Sequence, residues 1–301
     1  MEQFFQQLTN GLAVGSIYAL IALGYTMVYG VLKLINFAHS DLFTLGAYLG
    51  LTLLTSMALS DHLGPLWGTL VLVLMVMGLI ALAGAILDRV AYRPLRESPR
   101  LSAVVSALGA SIFIQNAIML VYGARFRVYP ADILPKTAFH MLGVDVPVVR
   151  ILVLLSSLAM MAALYFFIQK TRIGTAIRAA AIDQGAARLM GIDVNGVILI
   201  VFMVGPALGG VAGLMVGLYY GQINFTMGWG YGLKAFTAAI LGGIGNIPGA
   251  MVGGMLLGII EAMGSAYLSF AWKDAIAFGV LILILIVRPT GLLGERVAEK
   301  V

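Results

Sequence analysis

The feature that most constrains this chain is a series of long apolar runs without a charged residue. These runs cover residues 3–32, 42–60, 62–87, 101–124, 151–169, 194–233 and 235–260. Because a bilayer core takes about 20 apolar residues per helix, most of the runs can span a membrane. A shorter run at 275–287 supplies a last span if residues 270–272 extend it. The alternating pattern of a membrane β-barrel is absent from the sequence, so the spans are predicted to be helices.

The charged residues are few enough to exclude an ordinary soluble domain. The chain has 61% hydrophobic residues but only 18 Lys and Arg and 13 Asp and Glu, far from soluble usage. We therefore expect an all-α fold, a polytopic integral membrane helical bundle, with residues 1–301 forming a single transmembrane domain. The net charge of +5 reflects where the loops lie and does not indicate binding to nucleic acid.

The basic residues predict the topology. They concentrate in 88–100, in 170–192 and at the carboxyl end with Arg288, Arg296 and Lys300, and basic loops stay in the cytoplasm. The predicted helices are listed here by range: 7–31, 41–59, 64–88, 101–122, 148–169 and 194–219, followed by two helices separated by a turn at 242–250 and by a last helix. This gives nine crossings, or eight or ten if 231–247 is re-entrant or the first region is split. The amino terminus and the loop 123–147 are then external.

Glycines recur at every fourth residue in one of these runs. The five are Gly205, Gly209, Gly213, Gly217 and Gly221. Small residues at this spacing let two helix backbones approach closely, which drives association in lipid. Successive members drift by about 40° around the helix, so we expect the stripe to wind and to suit a right-handed crossing.

A short motif suggests an internal repeat. "INF" occurs at 35–37 and at 223–225, each time ahead of a segment that contains "FT" and then glycine. The predicted topology runs the two following helices in opposite directions, as in inverted-repeat transporters. Chance similarity between apolar segments is the alternative.

Motifs of catalysis and metal binding are missing from the sequence. There is no GxxxxGK[ST] phosphate loop and no HExxH, the three histidines lie far apart, and there is no cysteine. Nucleotide, metal and nucleophile sites need such clusters. We therefore predict no catalytic residue and no metal site in this chain.

A few polar residues in the apolar runs are candidates for lining a translocation path. They are Asn36, His39, Gln115, Asn116, Asn224 and Glu261. Ionisable groups are costly inside a membrane and usually face protein or a water-filled cavity. For Glu261 a structural pair between helices is an equal alternative, and Asn36 and His39 are equally able to cap a turn. We interpret Lys234 as a lysine that snorkels to the interface.

The segment "TRIGTAIRAAAIDQGAARLMGI" (171–192) resembles neither of the apolar runs beside it. Its Ala-rich composition predicts a helix over 175–190, with Gly174 and Gly191 as its start and stop. An amphipathic helix on anionic lipid is one interpretation, but that would favour bulky apolar residues. The residues here are small: Ala179, Ala180, Ala181, Gly185, Ala186 and Ala187. We expect the helix to fit a groove of a cytoplasmic partner.

Several long motifs resemble one known family. They are "GSIYALIALGYTMVYGVLKLINFAH" (15–39), "RVAYRPLR" (89–96), "SALGASIFIQN" (106–116), "AFTAAILGGIGNIPGA" (235–250) and "RPTGLLG" (288–294). The chain is similar, over nearly its whole length, to permeases of bacterial ATP-binding-cassette (ABC) importers for branched-chain amino acids. The similarity is to the Liv/Bra type, on the side of the H subunit, within the hydrophobic amino acid uptake family.

The resemblance implies partners and a coupling segment. The partners would be a second, homologous permease, two ABC ATPases, a periplasmic or extracellular substrate-binding protein and the lipid bilayer of the bacterial inner membrane. ATP and Mg would be bound by the ATPases, so this chain needs no cofactor of its own. Residues 172–192 would be the coupling segment, through Arg172, Arg178, Ala180, Ala181, Asp183, Gly185, Arg188 and Gly191. The family pattern places Glu where this chain has Ala179, so Arg178 or Arg188 is expected to supply the ionic contact.

The expected function is thus transport without catalysis. The resemblance implies Leu, Ile or Val as substrate, with urea or short amides as an alternative within the same class. A stand-alone ion-coupled transporter or channel is the alternative from another class, and a membrane enzyme is a third. The sparse carboxylates in the spans disfavour an internal ion site.

Overall fold

In the computed structural model of this chain, residues 2–57, 59–130, 138–141 and 144–294 are described. The predicted cytoplasmic residues Arg296 and Lys300 lie outside them. The helices are α1 (Glu2–Leu32), α2 (His39–Met57), α3 (Leu59–Leu87), α4 (Arg100–Tyr122), α5 (Val148–Lys170), α6 (Arg172–Ile182), α7 (Gln184–Leu189), α8 (Val194–Tyr220), α9 (Met227–Gly242), α10 (Ile247–Tyr267) and α11 (Lys273–Val287). A π-helical turn, Asp88–Tyr92, and a 3-10 turn, Arg93–Leu95, follow α3, and Phe270–Trp272 precedes α11.

The expected all-α membrane bundle is confirmed. Among the described residues, seven helices are long and apolar enough to cross a membrane, and the other two of the predicted nine spans correspond to α2, with 19 residues, and α9, with 16. Hydrogen bonds tie Val31, at the end of α1, to Gln184, and Asn246 to Leu293. We call the end of the bundle that carries these bonds and the segment 88–100 the inner end. The opposite end, which carries 123–130 and 221–226, is the outer end.

Helix α1 is the centre of the bundle. In its most apolar window 89% of the residues are buried, and it packs mainly against α10 and α8. The crossing with α10 is a contact of backbones. A Cβ on Gly258 would lie 2.2 Å from the Cα of Gly15, and one on Gly254 would lie 2.4 Å from the Cα of Ala19. Only glycine allows two helices to approach so closely.

Two of the five glycines in the α8 stripe lie against the backbone of a neighbouring helix. A Cβ on Gly205 would lie 3.2 Å from the carbonyl oxygen of Gly24 in α1, and one on Gly213 would lie 2.0 Å from that of Phe43 in α2. Gly209 faces the His39 ring and Gly217 faces Tyr129, so the stripe winds from α1 to α2. The prediction that Gly221 packs in the stripe is wrong. Its φ of +71° makes it the left-handed residue that ends α8. A Cβ added to Gly221 would have no atom of another described element within 4 Å.

The helix contacts agree with the repeat hypothesis. Each "INF" lies in a break between a long helix and a shorter one, at 33–38 between α1 and α2 and at 221–226 between α8 and α9. Helix α1 packs against α10, and α8 packs against α3. If α1–α3 and α8–α10 are inverted repeats, the first helix of each repeat is expected to pack against the third helix of the other, and both contacts are present.

Short strands join the connections at the outer end. Strand β1 (Arg127–Val128) pairs antiparallel with β4 (Gln222–Ile223), while β2 (Ala138–Met141) and β3 (Val144–Pro147) form a hairpin. The buried Tyr129 follows β1, and its hydroxyl donates to the carbonyl oxygen of Ala47 in α2. The described residues 123–130 of the loop are thereby tied to the middle of α2 and to the end of α8.

Candidate functional site

The segment between α5 and α8 is two helices and not the single helix predicted over 175–190. Helix α6 begins at Arg172, because Thr171 Oγ1 accepts a hydrogen bond from the Gly174 amide at 3.0 Å. Gly174 therefore lies inside α6 and does not start it. The helix ends at Ile182, and Asp183 caps the next helix by accepting from the Gly185 and Ala186 amides at 2.7 and 3.0 Å. An Asp that can bond the amides ahead of it favours a cap over a helix interior.

The far end of this segment is as predicted. Gly191 has a φ of +82°, and its amide donates to the carbonyl of Arg188 while the Ile192 amide donates to that of Ala187, both at 3.0 Å. This pair of bonds is the Schellman motif, which requires a left-handed residue and favours glycine. Gly191 is therefore the stop of α7.

Two polar contacts hold α6 and α7 to the bundle. Gln184 Nε2 donates to the carbonyl oxygen of Val31 at 2.7 Å, which satisfies an end carbonyl of α1. The Arg178 guanidinium donates to the Ile168 carbonyl at the end of α5, and to Thr175 Oγ1 at 3.3 Å. Arg178 thus serves the chain itself, and Arg188 is the exposed arginine of the two.

The exposed face of α6 and α7 is more apolar and bulkier than the sequence predicts. Ala180 and Ala187 are buried against the bundle, whereas Ile182, Leu189 and Met190 are 88%, 89% and 82% exposed. Gly185 and Ala186 are exposed between them. We call the residues Ile182, Gly185, Ala186, Leu189 and Met190 the coupling surface. Exposed apolar patches of this kind, rimmed by polar residues, mark interaction sites.

A cavity of about 800 Å³ lies beside the coupling surface. Gln184 and Arg188 form one side of it, and the segment 88–100 forms the other. Among the described residues, its charged lining is Arg93, Arg96, Arg100, Arg188 and Glu97. The excess of arginine suits acidic groups of a partner.

The inner candidates for the translocation path, Asn36 and His39, are enclosed by helices. The Tyr92 hydroxyl donates to Asn36 Oδ1 at 2.8 Å. His39 Nε2 lies 3.1 Å from the carbonyl oxygen of Ile21, and its ring stacks edge-on against Tyr25. Both candidates are at most 1% exposed, so they join α1, α2 and the turn after α3.

The sequence analysis missed two buried acids, Asp41 and Asp88, the second of which pairs with Arg96 at 2.6 Å. Asp41 is 3% exposed in the first turn of α2, and it accepts a hydrogen bond from the Ser111 hydroxyl of α4. An acid in the first turn of a helix is common because it is favoured by the helix dipole. The position of Asp41 therefore gives no sign in the sequence of its contact with α4. The neighbouring candidates on α4 do not join it. Asn116 is exposed and donates to the Ile112 carbonyl of its own helix, and Gln115 is half-buried.

The outer candidates include a cluster of four charges. Glu261 of α10 is 2% exposed, and its Oε1 lies 2.9 Å from Lys234 Nζ of α9 and 2.8 Å from Lys273 Nζ of α11. Lys234 also pairs with Asp274 at 2.7 Å. We call Lys234, Glu261, Lys273 and Asp274 the outer ion-pair cluster. The interpretation of Lys234 as snorkelling is wrong, because its ammonium lies between two carboxylates.

Two cavities adjoin this cluster. One of about 530 Å³ is lined by Lys234, Asp274 and the candidate Asn224, which accepts hydrogen bonds from Thr226. The other, of about 340 Å³, is lined by Glu261 and by residues of α1 and α8. Lys273 contributes to both.

The six path candidates thus fall into separate groups at the inner end, the outer end and the surface of α4. Among the described residues no group of His, Asp or Glu could hold a metal ion.

Comparison with known proteins gives matches over nearly the whole chain. Residues 7–285 match the family model described as branched-chain amino acid transport system / permease component. The chain is 45% identical to the high-affinity branched-chain amino acid transport system permease protein BraD of Pseudomonas aeruginosa, and 43% identical to LivH of Escherichia coli K12. Each alignment covers 99% of this chain and 98% of the relative.

More distant relatives and solved structures add less. A ribose import permease of Escherichia coli, RbsC, is 32% identical over 33% of each chain, and no solved structure matches. The full-length matches, together with the apolar helices, make the protein a multi-pass permease of the inner membrane. The chain belongs to the family of permease components of branched-chain amino acid transport systems.

Proposed function

We propose that this chain is a permease subunit of an ATP-driven importer that carries Leu, Ile or Val. It forms the translocation path with a second, homologous permease. Two ABC ATPases bind at the inner end and hold ATP and Mg, and a substrate-binding protein delivers the amino acid at the outer end. The chain itself needs no catalytic residue and no cofactor. The names of the relatives support a branched-chain amino acid as the substrate. Membership of a family of permease components supports the presence of partner subunits.

The observation that carries the proposal is the coupling surface. Its three large apolar side chains are almost fully exposed, yet its backbone is fixed by the cap at Asp183, the stop at Gly191 and the bond from Gln184 to α1. A partner that binds this surface gains buried apolar area without ordering a loop. Movement of that partner then acts on α1, α5 and α8, against which α6 packs.

The arginines around the cavity extend the docking surface. Arg188 connects the two, since it lines the cavity and directly precedes Leu189 of the coupling surface. Among the described residues, Arg96 pairs with the buried Asp88 at 2.6 Å, whereas Arg93, Arg100 and Arg188 form no ion pair with an acid. We expect them to meet carboxylates of the ATPase.

The test is a bulky substitution in the middle of the coupling surface. Gly185 is exposed, and an added Cβ would meet only Asp183 Oδ1, at 3.2 Å. Gly185→Trp should therefore fold and insert, but should block docking. We expect loss of ATPase copurification and of ATP-driven leucine uptake in proteoliposomes that contain all the subunits.

Gly185→Ala is the matched control, with near-normal uptake expected because it adds only the Cβ. Full uptake by Gly185→Trp would show that the ATPase binds elsewhere. A lipid-binding role for the segment makes the opposite prediction, since a tryptophan at an interface strengthens membrane binding. Uptake by the wild-type permease in the absence of any ATPase would favour the stand-alone transporter.

A further inference from the structure

The two carboxylate oxygens of Glu261 have different surroundings. Its Oε1 is shared by Lys234 and Lys273, whereas Oε2 is buried and has no hydrogen-bond partner among the described residues. A buried carboxylate normally has all its lone pairs satisfied, because an unmet one costs free energy. Glu261 is one of the residues that line the 340 Å³ cavity. A ligand bound in this cavity is therefore a source for the missing donor.

The rest of the cavity wall fits one small zwitterion. Asn10 of α1 also lines the cavity, and its buried Oδ1 is a second acceptor without a partner among the described residues. Lys273 supplies a positive charge, and Tyr219 and Tyr220 supply hydroxyl groups. Val14 and Phe270 are part of the same wall and are apolar. The volume is at the lower end of the range for ligand pockets, about 300–1,000 Å³.

We propose that this cavity binds the transported amino acid through its zwitterion at the outer end of the path. The α-ammonium donates to Glu261 Oε2 and Asn10 Oδ1, the α-carboxylate accepts from Lys273 Nζ, and the side chain contacts Val14 and Phe270. This inference rests on the proposed function and assigns the substrate a place in it.

The charges around the cavity favour a zwitterion over a single ion. Lys234 and Lys273 balance Glu261 and Asp274, so the outer ion-pair cluster has no net formal charge. An added cation or anion alone would leave the buried site charged, and this is costly in a membrane. An amino acid adds one charge of each sign, and each finds an opposite charge on the wall.

The experiment measures leucine binding to the complex of both permeases and the ATPases in nanodiscs without the binding protein. Two competitors each lack one charge: 4-methylpentanoate has no ammonium, and 3-methylbutylamine has no carboxylate. We expect both to bind wild type about tenfold or more weakly than leucine, since each loses a charge-assisted hydrogen bond. No leucine binding, or equal binding of all three compounds, would overturn the proposal.

Two substitutions then assign the contacts. Glu261→Gln should weaken leucine and 3-methylbutylamine by about ten- to a hundredfold, but should not weaken 4-methylpentanoate. Lys273→Met should weaken leucine and 4-methylpentanoate and spare the amine. A structural ion pair alone would change the three compounds together or not at all, which contradicts the proposal.

Glu2→Gln is the control. It removes an exposed carboxylate from the first turn of α1, at the same end of the bundle but outside this cavity, so leucine affinity should stay within about twofold of wild type. The outcome for transport separates the two proposals. If wild type takes up leucine and Glu261→Gln does so equally well, the zwitterion site is wrong and the importer function stands. If the complete wild-type complex takes up no branched-chain amino acid, the importer function itself is wrong.

Discussion

At the scale of single residues, the charges of the spans show what one sequence can and cannot predict. Glu261 is recognisable because a carboxylate amid apolar residues is costly. Its partners are not, since Lys234 and Lys273 lie 27 and 12 positions away on different helices, and a lysine near a span end looks equally able to reach water. Only the meeting of α9, α10 and α11 makes them a cluster.

Burial predicts which ion pair of Lys234 matters for stability. Its partner Glu261 is 2% exposed, whereas the side chain of Asp274 is 70% exposed. Lys234→Met should therefore destabilise the protein by about 2–3 kcal/mol, because it takes one of two cations from a buried carboxylate. Asp274→Asn should cost less than about 1 kcal/mol. Thermal unfolding of the purified permease in detergent measures both, and equal losses would show that the buried pair contributes no more than the exposed one.

At the scale of helices, spacing predicts contacts that depend on backbone alone. In the α8 stripe, Gly205 and Gly213 lie against backbone, as close approach needs only the absence of a side chain, whereas Gly209 and Gly217 face the side chains of His39 and Tyr129. Gly221 keeps the same spacing but ends the helix, and spacing cannot separate these two uses of glycine. Asp183 escaped prediction for a related reason: good helix formers on both sides concealed a cap.

The α1–α10 crossing gives a quantitative test at this scale. An added Cβ on Gly258 would lie 2.2 Å from the Cα of Gly15 and 2.5 Å from the carbonyl oxygen of Gly11. Since backbone cannot rotate away as a side chain can, Gly258→Ala should destabilise by about 1–3 kcal/mol.

The control for this substitution is Gly78→Ala on α3, where the added Cβ has no neighbour within 4 Å. It should be neutral or stabilise by up to about 1 kcal/mol through helix propensity. Thermal unfolding of the two variants side by side measures the difference. A neutral Gly258→Ala would mean that the two helices are not in backbone contact.

At the scale of the whole molecule, hydropathy predicts the number and order of the helices, but not which of them pack together. The loop 123–147 is predicted to be external although it contains Arg127, and this arginine has a local explanation. The Arg127 guanidinium donates to the Tyr122 carbonyl at the end of α4, at 2.8 Å from Nε. A cation at a helix carboxyl terminus is favourable wherever that terminus lies. An arginine with this role is a weak indicator of the cytoplasmic side.

The topology is testable because the chain has no cysteine. Single cysteines at Ala124 and Ser98, both exposed, mark the outer and inner ends. A membrane-impermeant maleimide should label Ala124→Cys in intact spheroplasts and Ser98→Cys only after permeabilisation. Labelling of both sites from one side would require a different number of crossings, and the reverse pattern would place the coupling surface outside the cell.

Helix α1 reaches both places where the molecule is proposed to meet its partners. Asn10 and Val14 line the outer cavity, and the carbonyl of Val31 is held by Gln184 beside the coupling surface. Thirty-one residues of helix form a rod about 46 Å long. Where it crosses α10, no rotamer change can absorb a displacement. Movement of an ATPase bound at the inner end would thus reach the outer cavity as the displacement of one rigid helix.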